Sequence, residues 1–183
     1  MRIMLKTRYG TRDCRGQSVI ESCIAVAVLC LIFMGLFQLS RIIMAKEVLH
    51  HTAARAARAR TVGLNDFMLH KVTRVGTILN AGMMEAPDME GGPTAQRAIE
   101  RARIPLYLGA EHQGNLYEIL DYEDWDTVNY PSILPVGNLL RVQVSQSFPL
   151  RTAMRRAFYT DDSIQLDGVS FIANHYDLYM ETE

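Results

Sequence analysis

The residues with the most chemical potential sit near the start of the chain, in Cys14-Arg15-Gly16-Gln17-Ser18-Val19-Ile20-Glu21. Gly16 closes a stretch that carries five basic residues against one acidic residue, and a lone glutamate follows where an apolar helix has already begun. A carboxylate costs on the order of 3 kcal/mol at a bilayer centre and less near an interface, so an ionisable residue in such a helix points to function. Two readings of Glu21 stand side by side. It marks the interfacial end of the helix and reaches back to water, or it is kept for a partner charge. Scission after Gly16 would expose an α-amino group at Gln17, four residues before Glu21, and the amine of a neighbouring copy could then neutralise the carboxylate. A buried pair of that kind speaks for register-setting rather than stability.

The remaining candidates argue against catalysis. Glu47 and His50 make one Glu-x-x-His step, whereas a di-iron bundle needs two such steps and two further glutamates. His50 and His51 are adjacent and cannot face each other on a helix. His70, His112 and His175 have no cysteine or second histidine at ligand spacing. There is no phosphate-cradling glycine loop and no nucleophile elbow. The densest acidic cluster is Asp121, Glu123, Asp124 and Asp126, interleaved with Tyr122 and Trp125. It lacks the central glycine and terminal glutamate of a calcium loop. It reads as a solvated loop, or as a contact with the basic neck of a neighbouring copy through Arg55 and Arg58, with Trp125 as the buried anchor. The chain therefore reads as a non-enzyme that needs no metal or cofactor and binds no nucleic acid.

The elements that hold these residues divide by charge. Up to Gly16 the net charge is +4, from Arg41 to Arg60 it is again +4, and from Thr61 onward it is −8. Between the basic stretches, Ser22 to Ser40 is a run of nineteen uncharged residues, about 28 Å of helix and enough to cross a bilayer's hydrocarbon core. The basic leader favours a cytoplasmic N-terminus, against the pull of the basic residues after Ser40. No small-x-small site follows the run, and neither Cys23 nor Cys30 has the preceding residues of a lipoprotein, so the segment stays attached. The three cysteines are Cys14, Cys23 and Cys30. The last two lie about 10 Å apart along a helix and could bond only between subunits. Alanine-rich sequence continues the helix to Val62, where Gly63 is a stop and Asn65-Asp66 a cap for the next helix. A helix from Ser18 to Val62 would be roughly 65–70 Å long. Alanines 53, 56, 57 and 59 give it a small face that a sheet or helix can approach, with Arg55 and Arg58 left in solvent.

Gly16, Gln17 and Glu21 followed by the uncharged run resemble the class III signal of type IV pilin-like proteins. Arg15 to Glu21 with the Ala/Arg-rich helix end resembles, more narrowly, TadE-like minor pilins or pseudopilins of the tight-adherence (Tad) system. Gln17 in place of an aromatic residue, and a helix without proline, fit that branch. The resemblance implies processing by a prepilin peptidase at Gly16 and Gln17, assembly guided by Glu21, and partners among other pilins or pseudopilins, the Tad assembly platform and membrane lipid. It also implies a bacterial inner-membrane location with a periplasmic head, and a place in a Tad-type pilus or in its initiation complex, with the choice between an adhesion and a secretion role left open. The rival reading is an unprocessed single-pass anchor whose head is a binding module.

Residues 1–16 then form a leader, 17–62 a transmembrane and extended helix, and 63–183 a head. In the head, helical spacing from Leu64 to Met84 predicts a second helix. Gly91-Gly92-Pro93 is a turn, and a third helix runs from Pro93 to Arg103, with Thr94 as its cap and Pro105 as its end. Alternation from Leu139 to Phe148 predicts a half-buried strand, Asp161-Asp162 a turn, and Gly168 to Met180 a long C-terminal strand. The expected class is α+β: a long N-terminal helix packed on a small helical and antiparallel-sheet head.

Overall fold

A computed structural model describes residues 15–87, 92–111, 116–151 and 160–174. The fold is α+β, and the chain divides into two compact units, residues 1–39 and 40–183. Helix α1 is Arg15–Thr61, 47 residues, and it stops where expected, with Gly63 at φ +92°. Its large apolar residues from Val19 to Leu39 are each 47–63% exposed. A helix apolar on every side and exposed on every side is suited to lipid or to other helices rather than to water.

The second unit begins on the same helix. From Ala45 onward one face of α1 is sealed: Ala45, Leu49, Ala53, Ala56 and Ala57 are buried. They lie on a three-stranded antiparallel sheet ordered β3-β4-β5, made of Ser132–Val136, Leu139–Pro149 and Ser163–Ala173. Leu49 and its alanine neighbours pack with Val144, Phe148 and Leu166, and Ala56 and Ala57 with Leu140 and Val142. The small side chains let helix and sheet approach closely, as the alanine pattern predicted. At the tightest point Gly168 of β5 lies where any Cβ would collide with the backbone of Leu49 and His50. His50 adds a polar tie there, its Nδ1 accepting the Val169 N–H at 3.3 Å.

Strand β4 has the expected alternation, with Leu140, Val142 and Val144 buried on one side, followed by Gln146 and Phe148. Strand β5 pairs with β4 along its whole length, from Leu139 opposite Ala173 to Pro149 opposite Ser163. It starts five residues before the expected Gly168 and ends at Ala173. Gly168 marks the helix crossing, not the strand's beginning. Tyr176, Leu178 and Met180 lie outside the described residues, as do Gly91, His112 and His175.

Helix α2, Asp66–Gly76, is capped by Asn65, whose side chain accepts the Met68 N–H. It is shorter than the apolar spacing suggested. Gly76 sits tight against the Thr52 side chain, and beyond it the chain turns through Ile78–Asn80 into strand β1, Met84–Ala86. Asn80 is drawn back to α1, donating to the Ala45 carbonyl at 3.1 Å. Helix α3 is Pro93–Gly109, with Gly92 rather than Thr94 as its cap and Pro93 in its first turn. It runs through Pro105 instead of ending before it. A proline inside a helix costs about 3 kcal/mol. Tyr107, just beyond the proline, is buried in the second core, and the Lys71 ammonium donates to the Leu108 and Ala110 carbonyls at 2.6 and 2.7 Å. These contacts hold the last turn in place. Helix α4, Leu116–Ile119, and strand β2, Asp121–Tyr122, which pairs with β1, complete the head.

Candidate assembly site

Gln17 and Glu21 are both exposed on α1, one turn apart, about 6 Å along the axis. Gly16 is in the helix as well. Near them the helix satisfies itself: Ser22 Oγ donates to the Ser18 carbonyl at 2.8 Å. Glu21 therefore presents its carboxylate on an apolar surface to whatever covers that surface. The other expected anchor points lie further along. Arg55 and Arg58 are exposed, while Ala53, Ala56 and Ala57 turn to the sheet. The third neck arginine, Arg60, is engaged within the chain, with Asp66 at 3.1 Å and the Leu64 carbonyl at 3.2 Å.

The acidic cluster is a set of ion pairs rather than a bare loop. Arg74 reaches Asp126 at 3.0 Å and Asp121 at 3.8 Å, and Arg151 reaches Glu123 at 2.8 Å and Asp124 at 3.0 Å. Arg74 is almost fully buried and its guanidinium lies 5.0 Å from the Trp125 ring and 5.3 Å from that of Tyr117. Trp125 is fully buried, stacked at an angle between Tyr107 and Tyr122. It anchors the chain's own second core, with Leu116, Leu120 and Ala81. Asp124 is buried too, whereas the Asp126 side chain is 83% exposed. The structure thus leaves Arg55, Arg58 and Asp126 at the surface and uses Asp124 and Trp125 inside.

Burial sets the protonation of several head groups. Burial pushes the Asp121 carboxyl up from its ordinary value, with hydrogen bonding and Arg74 opposing. Glu123 is held down chiefly by its hydrogen bond to Arg151. Burial, and secondarily the charge of Arg74, lowers His70 to about 4. Its ring stacks on Tyr130 at 3.8 Å, and its Nδ1 has no hydrogen-bond partner. Sequence reading missed Arg74, Arg151 and Lys71 because their partners lie tens of residues away. It also missed the buried relay in which Asn80 donates to Gln146 at 3.3 Å and Gln146 to Thr127 at 3.2 Å. Among the described residues no group of three His, Cys, Asp or Glu side chains is placed to hold a metal ion.

Residues 16–58 match the model of a family described as TadE-like protein. This N-terminal segment is similar to TadE-like proteins. The TadE-like segment contains Gly16, Gln17, Glu21, Arg55 and Arg58 and ends before the acidic cluster, so the match covers under a quarter of the chain. No curated protein and no solved structure matches the chain. The TadE-like helix is also the one helix, among the described residues, long and apolar enough to cross a membrane.

Proposed function

We propose that the chain is a minor pilin or pseudopilin, cut by a prepilin peptidase after Gly16 and then assembled into, or used to initiate, a Tad-type pilus. Before assembly it sits in the bacterial inner membrane with its N-terminus cytoplasmic and its head periplasmic. The observation that carries this reading is Glu21, a lone exposed carboxylate on an apolar helix one turn after the Gly16-Gln17 junction, inside the TadE-like segment. Desolvating that carboxylate in a bundle of helices is unfavourable unless a positive group meets it. The new amine at Gln17 of a neighbouring copy is the group that the chain itself supplies. Around the head, the exposed guanidinium groups of Arg55 and Arg58 and the exposed carboxylate of Asp126 supply complementary charges for subunit contact.

The test is incorporation. In cells with an intact Tad system, Glu21→Ala is expected to leave the membrane-bound amount unchanged and to remove the protein from the sheared pilus fraction, with Glu21→Asp intermediate. Incorporation of Glu21→Ala at the wild-type level would remove the carboxylate from the account.

A further inference from the structure

The three-stranded sheet has one face against α1, and its other face changes character along the strands. At one end that face carries Ser145, Ser147, Gln165 and Asp167, the polar residues expected where a sheet meets water. Toward the turn at Gly137 the same face becomes apolar: Leu134, Val136, Leu139 and Phe171 are 50%, 51%, 44% and 59% exposed. The register sets them in two adjacent cross-strand rows, Leu134–Arg141–Phe171 and Val136–Leu139–Ala173. Isolated exposed apolar residues are ordinary, but four side by side on one sheet face mark a surface that is covered in use. Arg141 stands among them. Its guanidinium donates to Gln143 Oε1 at 3.0 Å, and among the described residues no carboxylate lies within ion-pair distance of it. A surface that covers this guanidinium must therefore bring it a carboxylate or an aromatic ring.

The same face supplies that ring. A two-fold axis parallel to the strands, midway between β4 and β5, exchanges the two strands and keeps each row in place. Two copies stacked about it at the roughly 10 Å spacing of packed sheets set Arg141 on Phe171 of the second copy and Leu139 on Ala173. They also set Ser145 on Asp167 and Ser147 on Gln165, so apolar meets apolar, polar meets polar, and each contact occurs twice. An axis across the middle of the strands would instead lay the apolar end on the polar one. The parallel axis also suits an anchored protein. α1 lies along the strands, with Leu49 packed with Val144 and Phe148, and Ala56 and Ala57 with Leu140 and Val142. Both copies then present Ser40 at the same end of the pair. The outward positions of β4 and β5 are fewer than the roughly 20–30 residues a side of a stable complex, so the pair depends on the high local concentration of a shared membrane or fibre.

We infer that this sheet face is an interface between two copies of the chain, centred on Leu139, Arg141 and Phe171, with corresponding strands running the same way. The inference rests on the reading of the chain as a membrane-anchored pilus component. The experiment uses two differently tagged full-length copies, both carrying Cys14→Ala, Cys23→Ala and Cys30→Ala, reconstituted together in phospholipid vesicles and oxidised. Arg141→Cys in one copy and Phe171→Cys in the other are expected to join in a mixed disulfide, while the reciprocal Arg141–Phe171 contact stays intact. Leu139→Cys and Ser163→Cys stand at opposite ends of the β4–β5 pairing, about 33 Å apart along the strands, and are expected to remain separate. Joining of the second pair alone would mean a reversed arrangement, and joining of both pairs random collision; either would overturn the inference. Absence of joining in protein that floats with the vesicles would overturn it and leave the membrane reading standing. Maleimide then separates the other covers: a Phe171→Cys thiol closed to the label assigns the face to a segment of the same chain, and an open one leaves it to a different protein. Protein that does not float with the vesicles would remove the membrane reading and the inference with it.

Discussion

Gly168→Ala places a methyl group where α1 crosses β5. The new Cβ would meet the carbonyl of Leu49 and the backbone nitrogen of His50, atoms of a regular helix that cannot rotate aside as a side-chain tip can. Restoring ordinary van der Waals spacing requires the helix to withdraw by about 1 Å, which forfeits a quarter to a half of each contact facing the gap. A buried leucine makes roughly 40–60 contacts of 0.1–0.2 kcal/mol, and Leu49 is fully buried. Losing a quarter of those on the side facing the sheet, about half of the total, costs about 0.5–1.5 kcal/mol. Loosening the flanking Ala45 and Ala53 contacts and the His50–Val169 bond brings the total to about 2–4 kcal/mol. That is a large fraction of the 5–15 kcal/mol typical of a folded protein. The assay is urea unfolding of the full-length protein in detergent, followed by pulse proteolysis, with Gly35→Ala as control because nothing lies within 4 Å of the Cβ it adds. A Gly168→Ala midpoint that matches wild type would refute the backbone crossing.

Four further substitutions test separate parts of the head. His70, held at about 4 in the fold against 6.5 unfolded, takes up its proton in the unfolded chain first. Its contribution is therefore complete above pH 6.5 and is lost as pH falls toward 4. His70→Phe, which preserves a ring to stack on Tyr130, should flatten the fall in urea stability between pH 7 and pH 5 relative to wild type; parallel curves would contradict it. Gln146→Leu deprives Asn80 and Thr127 of a buried partner and should cost about 1–3 kcal/mol in the same unfolding assay. Arg74→Met breaks a buried guanidinium away from Asp121 and Asp126 and should cost about 2–3 kcal/mol. Arg151→Ala removes a surface pair with Glu123 and one with the buried Asp124, from an arginine that is itself 40% exposed, and should cost about 1–2 kcal/mol. Equal losses for the two arginines would show that burial does not separate them.

What the sequence disclosed follows the range of the interactions. The long helix, its stop at Gly63, the Asn65 cap and the alternation of β4 are written in neighbouring residues, and the structure has each of them. The alanines at 53, 56 and 57 announced a close approach without saying to which strand. Local rules failed where distant contacts decide. Pro105 is a helix breaker by propensity, but the burial of Tyr107 and the reach of Lys71 to the Leu108 and Ala110 carbonyls carry α3 past it. Strand β3 was hidden by Pro135, which the edge of a sheet tolerates because it needs no donor on its outer side. Gly168 looked like a strand boundary, while its missing side chain serves the helix. For the candidate site, Gly16, Gln17 and Glu21 were legible because a charge in an apolar run is a local anomaly. The pairing of the acidic cluster with Arg74 and Arg151 was not, since those partners are brought together only by the packed head.

The central claim is that the chain is a processed pilus component, and the most direct measurement is the intact mass of the membrane-extracted protein, expressed with and without its prepilin peptidase. The account predicts loss of residues 1–16 and a new N-terminus at Gln17 only when the peptidase is present, and no shortening of the Gly16→Leu variant. A chain that begins at Met1 in both samples would contradict it.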